Sequence, residues 1–120
     1  MTDRLRALWD FGDLDSSEAR LRGQLTEEAS SVGRAEVLTQ LARVEGLRGA
    51  FAEGERLIEE AESLAGDSVV ARARIDLELG RLRRSSGNVD AALPLFVSAF
   101  ALAREAGELF IAVEIGRAHV

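Results

Sequence analysis

The sequence predicts an all-α fold of antiparallel helix hairpins stacked one on the next, about three units with the first and last incomplete. Three observations predict it. The chain repeats itself at a fixed offset, which pairs Arg34 with Arg72, Ala35 with Ala73, Leu41 with Leu79, Arg43 with Arg81, Gly49 with Gly87, Leu57 with Leu95 and Ala61 with Ala99. Apolar residues recur at three- and four-residue spacing inside each repeat, the period of one helix face. Gly and Ser break the pattern at regular points, where hairpin turns belong. A period of roughly 20 to 50 residues marks an array of supersecondary units.

Taken in order, residues 3–10 predict a short helix with Leu5, Leu8 and Trp9 on one side, broken at Phe11-Gly12-Asp13. Asp15, three residues before Glu18, reads as the N-cap of a helix running to about Ser30. The stretch 30–33 reads as a connector. Residues 34–48 then carry Val37, Leu38, Leu41, Val44 and Leu47, and Gly49-Ala50 turns the chain. Residues 51–65 carry Phe51, Leu57, Ile58, Ala61 and Leu64, and Gly66-Asp67-Ser68 stops one helix and caps the next. Residues 69–85 carry Val70, Ile75, Leu79 and Leu82. Residues 89–106 carry Ala92, Leu93, Phe96, Ala99, Phe100 and Ala103, and Gly107 ends that helix. Pro94 costs little if the helix starts near Asp90 and implies a slight kink if it starts at Asn88. Residues 108–113 begin a further helix.

The last residues are odd. Glu114 to Val120 can be encoded by a string that looks like a common short-read sequencing adapter, whose next triplet is a stop. The expectation is a domain over 1–113, with units at about 3–30, 34–66 and 69–107, and a non-native tail over 114–120. On this reading the natural protein is longer and the chain is a fragment.

The hairpins resemble the tetratricopeptide repeat family. That family places Leu-Gly or Leu-Ala in the first helix of a unit, Gly at the turn, and Ala, an aromatic and Ala in the second helix. In residues 73–106 these fall on Leu79-Gly80, Gly87, Ala92, Phe96 and Ala99, and in residues 35–68, more loosely, on Leu41-Ala42, Gly49, Gly54, Ile58 and Ala61. Gly12, Ser17 and Leu21 suggest a degenerate first unit. The resemblance implies a right-handed superhelical solenoid whose concave face is lined by the first helix of each unit. Carried onto this chain, that face comprises Glu36, Thr39, Gln40 and Arg43, then Arg74, Leu77, Glu78, Arg81 and Arg84.

Composition bounds the function. A net charge of −6 opposes general nucleic-acid affinity, because phosphate binding needs a basic face. No apolar run approaches the ~20 residues of a membrane span, and the N-terminus lacks the apolar core of a secretory signal. The absence of Cys rules out disulfides and thiolate metal sites and fits a cytoplasmic chain. Every basic residue is Arg, and Lys and Tyr are absent, which reads as the codon bias of a GC-rich bacterium.

No motif carries chemistry. The Gly residues are scattered at helix breaks, Glu27-Glu28 and Glu59-Glu60 read as solvated faces, and the single His, His119, lies in the tail. The expectation is a protein that is not an enzyme and takes no cofactor or metal. Arg43, Arg74, Arg81 and Arg84, with Leu77 between them, make the concave face a candidate peptide-binding surface. Arg forks grip carboxylates bidentately, so an acidic peptide is the expected ligand. The plainer reading of the same residues is a solvated face of Glu/Arg pairs. The function predicted is therefore a non-catalytic interaction module, scaffold or adaptor. The alternatives are a regulatory or sensor domain of a larger protein whose effector part is missing, and a structural, self-associating helical protein. Self-association through the cut C-terminal end, an artefact of truncation, is expected as well.

Overall fold

A computed structural model describes residues 3–107, and over that span the chain is all-α, with no strand. A 3-10 turn at Arg6–Leu8 precedes five α-helices: α1 (Leu14–Glu27), α2 (Ser31–Leu47), α3 (Phe51–Ala65), α4 (Val69–Ser85) and α5 (Val89–Ala106). The two long hairpins keep the repeat register. Helices α2 and α4 begin at Ser31 and Val69, and α3 and α5 begin at Phe51 and Val89, the same offset in both cases. Both hairpins turn on a glycine with positive φ, Gly49 at 82° and Gly87 at 94°. Side chains other than Gly pay a steric cost there.

Each helix packs on its sequence neighbour, and α2 also packs on α4. Leu5, Leu21, Leu38, Leu41, Val44, Leu57 and Ile58 form the larger core with Ala61 and Leu82. Ala73, Leu77, Ala92, Phe96, Ala99 and Ala103 form a second core between α4 and α5. Small residues set the close contacts. A Cβ on Gly80 would lie 2.7 Å from a Phe96 ring carbon, and one on Gly54 would lie 2.8 Å from Leu82 and 3.3 Å from the Ala42 carbonyl.

The early elements differ from expectation. Residues 3–10 make only a 3-10 turn, because the Asp3 carboxylate takes the Leu5 N–H at 3.1 Å and Trp9 is already extended, at ψ 134°. The N-cap of α1 is Asp13, accepting from Ser16 N at 3.0 Å, rather than Asp15. The buried Ser17 hydroxyl locks that choice by bonding Asp10 N at 2.7 Å and the Asp10 carbonyl at 2.8 Å. Helix α1 stops at Glu27, and the expected connector is already helix, since Ser30 caps α2 by accepting from Gly33 N at 2.9 Å.

Some apolar positions also face outward. Leu47 is 53% exposed at the end of α2, and Leu93 and Phe100 are exposed on α5. Leu79 is only half-buried, its neighbours Leu77 and Glu78 taking the interior. Asn88 caps α5 through Ala91 N, so Pro94 falls in the second turn. The helix continues through it, and the Asp90 carbonyl that Pro94 cannot serve lies on the exposed side, open to water. The expected helix start at 108–113 and the tail at 114–120 lie outside the described residues.

Candidate functional site

The face shared by α2 and α4 holds most of the expected site residues, and residues 3–11 lie across part of it. Arg74 is 4% exposed. It grips Asp3 with two bonds, Nη2 to Oδ1 at 2.6 Å and Nη1 to Oδ2 at 3.1 Å, and donates Nε to Glu36 Oε2 at 3.1 Å. Arg4 reaches back to Glu28 at 2.8 Å and Glu36 at 3.5 Å. Burial pushes the Asp3 carboxyl up, but the bonds and charge of Arg74 outweigh it and hold the group below its ordinary value. Burial works against the Arg74 charge too, and Asp3 and Glu36 reverse it, so Arg74 stays firmly protonated.

Farther along α2, the Trp9 indole N–H donates to Gln40 Oε1 at 3.0 Å. The Trp9 and Phe11 rings stack with centroids 4.7 Å apart and planes 8° from parallel. The Arg43 guanidinium sits 5.2 Å from the Trp9 centroid and 4.9 Å from that of Phe11, close enough for cation–π attraction to both. Gln40 is itself held by Thr39, whose hydroxyl accepts from Nε2 at 3.3 Å and donates to the Glu36 carbonyl at 2.6 Å.

Beyond Arg43 the face opens into a cleft of about 120 Å³ between the ends of α2 and α4, with Arg43, Glu78 and Arg81 among its lining and Leu47 and Leu82 as apolar walls. Arg81 Nη1 donates to Glu78 Oε2 at 2.9 Å. Glu78 is 1% exposed, and its Oε1 is buried with no hydrogen-bond partner among the described residues.

Of the sequence candidates, Arg43 and Arg81 meet at the cleft, Arg74 is drawn inward to Asp3 and Glu36, and Arg84 is exposed near the C-terminal end of α4. Leu77 does not face this side at all but packs in the α4–α5 core, because the α4 positions three to four residues apart that meet Phe96 and Ala99 include it. Glu36 and Glu78 balance Arg74 and Arg81, so the face is less basic than its Arg count implies. Asp3, Trp9 and Phe11 were missed as parts of this surface. Their signal was indirect: an acid and two aromatics in a segment too short and too broken to hold a helix alone.

Among the described residues no group of three His, Cys, Asp or Glu could hold a metal ion, and no helix is long and apolar enough to cross a membrane. Compared with models of protein families, with curated proteins and with solved structures, the chain matches none.

Proposed function

We propose that this chain is a non-catalytic interaction module, a tetratricopeptide-like solenoid of the bacterial cytoplasm that takes a segment of a partner protein on the α2/α4 face. One observation carries the reading. Residues 3–11 are nearly devoid of regular structure and still lie against this face, an acid in the fork of Arg74 and an indole on Gln40 and Arg43. The chain thus supplies its own example of how the surface holds an irregular, net-neutral segment through one carboxylate and one indole. The solenoid part of the reading draws support from the packing: α2 touches α4, whereas α1, α3 and α5 do not touch one another, which bends the stack toward the α2/α4 side.

The partner segment is acidic, recognised by Arg43 and Arg81 with Arg84 beyond them. Titrating an Asp/Glu-rich peptide and a neutral peptide of equal length into the protein tests this. The acidic peptide binds weakly, weakens further as salt is added, and is lost with Arg81→Glu. Equal binding of the two peptides, or full binding to the variant, sinks the proposal.

A further inference from the structure

The outer face of α5 is apolar where its counterpart on α3 is charged. Val89, Leu93, Pro94, Val97, Phe100 and Ala101 all lie open along it, on the side turned away from the α4–α5 core. In the repeat register, Leu93, Pro94, Val97 and Phe100 fall on Glu55, Arg56, Glu59 and Glu62 of α3. Those α3 positions are exposed or half-buried even though α4 packs on α3. A further helix docked on α5 as α4 docks on α3 would therefore leave the apolar face open. A contiguous open face of this kind marks a contact between molecules.

The charges on the face say which molecule. Asp90, Val97 and Arg104 repeat at heptad spacing, which puts them on one line along the helix. The Arg104 guanidinium lies 6.0 Å from the Phe100 ring centroid, so it stands on the apolar face. The line thus runs from an acid in the first turn of α5 to a base in the last, with Val97 midway. We infer that this face pairs with the same face of a second copy, antiparallel, about a two-fold axis through Val97. A two-fold contact is self-complementary, so each Asp90 meets Arg104 of the partner subunit and each Arg104 meets its Asp90. Leu93 and Phe100 fill the space on either side of the axis. A parallel pairing would set like charges together at both ends, whereas the antiparallel one also opposes the two helix dipoles. One pair of helices is a small interface, so the dimer dissociates on dilution. Because α5 turns its other side to α4, pairing leaves the α2/α4 face of both copies open, and the inference stands whatever binds there.

Charge reversal in the full chain tests the pairing, read by sedimentation velocity over a range of concentrations. The unaltered chain dimerises. Asp90→Arg and Arg104→Asp, each alone, set like charges together at both ends and weaken the dimer about tenfold. Mixed in equal amounts, the two variants pair again, within about threefold of the unaltered chain, because every reversed charge now meets its opposite. Recovery on mixing cannot come from a variant that fails to fold, and circular dichroism checks that each keeps its helices. Val97→Cys, in a chain with no other Cys, oxidises to a linked dimer about tenfold faster than Glu59→Cys, its α3 counterpart. Dimers indifferent to both reversals, variants that stay apart when mixed, or equal oxidation at the two sites overturns the inference. So does a monomer at every concentration. Slow thiol labelling of Val97→Cys would then put residues 108–120 on the face, and fast labelling would leave it to a different protein.

Discussion

The hairpins α2–α3 and α4–α5 share one template inside and diverge outside. Inside, equivalent positions are small or apolar and buried in both: Ala42 and Gly80, Ile58 and Phe96, Ala61 and Ala99, Ala65 and Ala103. Outside, α3 presents Glu55, Glu59 and Glu62, with Glu55 paired to Arg83, while the same three positions on α5 are Leu93, Val97 and Phe100, all exposed. Packing between helix axes tolerates few residues, so it constrains the inner positions of every unit. The outer face obeys no such rule and is free to be solvated in one unit and apolar in the next.

The strongest way to break the shared template is Ala99→Arg. Ala99 has no exposed surface, and an Arg there both overpacks a close helix contact and buries a charge. A loss of roughly 4 kcal/mol is expected, with a similar loss for Ala61→Arg at the equivalent place. Urea titration checks it. A change of no more than about 0.5 kcal/mol at either site, the usual size for a surface substitution, would mean the two positions are not interior equivalents.

The first hairpin, unlike the second, borrows part of its core from residues 3–11, through Leu5. Asp3→Asn weakens the fork on Arg74 and should cost about 2 kcal/mol. The pH dependence has a definite sign. Because the folded carboxyl titrates below its ordinary value, its stabilisation is complete above the unfolded value of about 3.9 and is lost as pH falls through the folded value. The fluorescence of Trp9, the one Trp, should therefore report release of the N-terminal segment on acidification. In Asp3→Asn that low-pH step should be missing.

Much of the interior was legible in the sequence, and the reason is periodicity. Helices over 51–65, 69–85 and 89–106 and turns at Gly49 and Gly87 follow from the repeat, because each unit repeats the same local demands at a fixed spacing. The site was legible only in part. Arg43 and Arg81 fall at the cleft because they occupy one repeated position, but Arg74 is spoken for by Asp3, 71 residues away. No period links those two. Segment 3–11 takes its structure from the surface it lies on, whereas local periodicity alone predicts a helix over residues 3–10.

The glycine-for-alanine exchange sharpens the inner comparison. The second hairpin pairs Gly80 with Phe96 where the first has Ala42 and Ile58, a smaller residue opposite a larger one. Gly80→Ala puts a Cβ 2.7 Å from the ring, which must move, while the gain in helix propensity offsets part of the strain. A net loss of about 1 kcal/mol is expected, and it should vanish against the Phe96→Ile background. Losses that simply add would mean the two positions do not compensate each other.

The outer stripe gives the smallest effect on stability and the clearest on association. Leu93, Val97 and Phe100 lie on one face of α5, spaced four and three residues apart. Phe110, Ile111 and Val113, the other apolar residues expected at this end, lie outside the described residues. An exposed apolar row of this kind favours contact between copies, whereas the Glu row on α3 favours water. Val97→Glu turns the α5 position into its α3 counterpart, Glu59. Because Val97 is already 61% exposed, folding stability should move by no more than about 0.5 kcal/mol. Light scattering at rising concentration should show the unaltered chain associating and Val97→Glu remaining monomeric. If both scatter alike, the stripe is not the associating surface, and the outer faces of the two hairpins differ in composition without differing in behaviour.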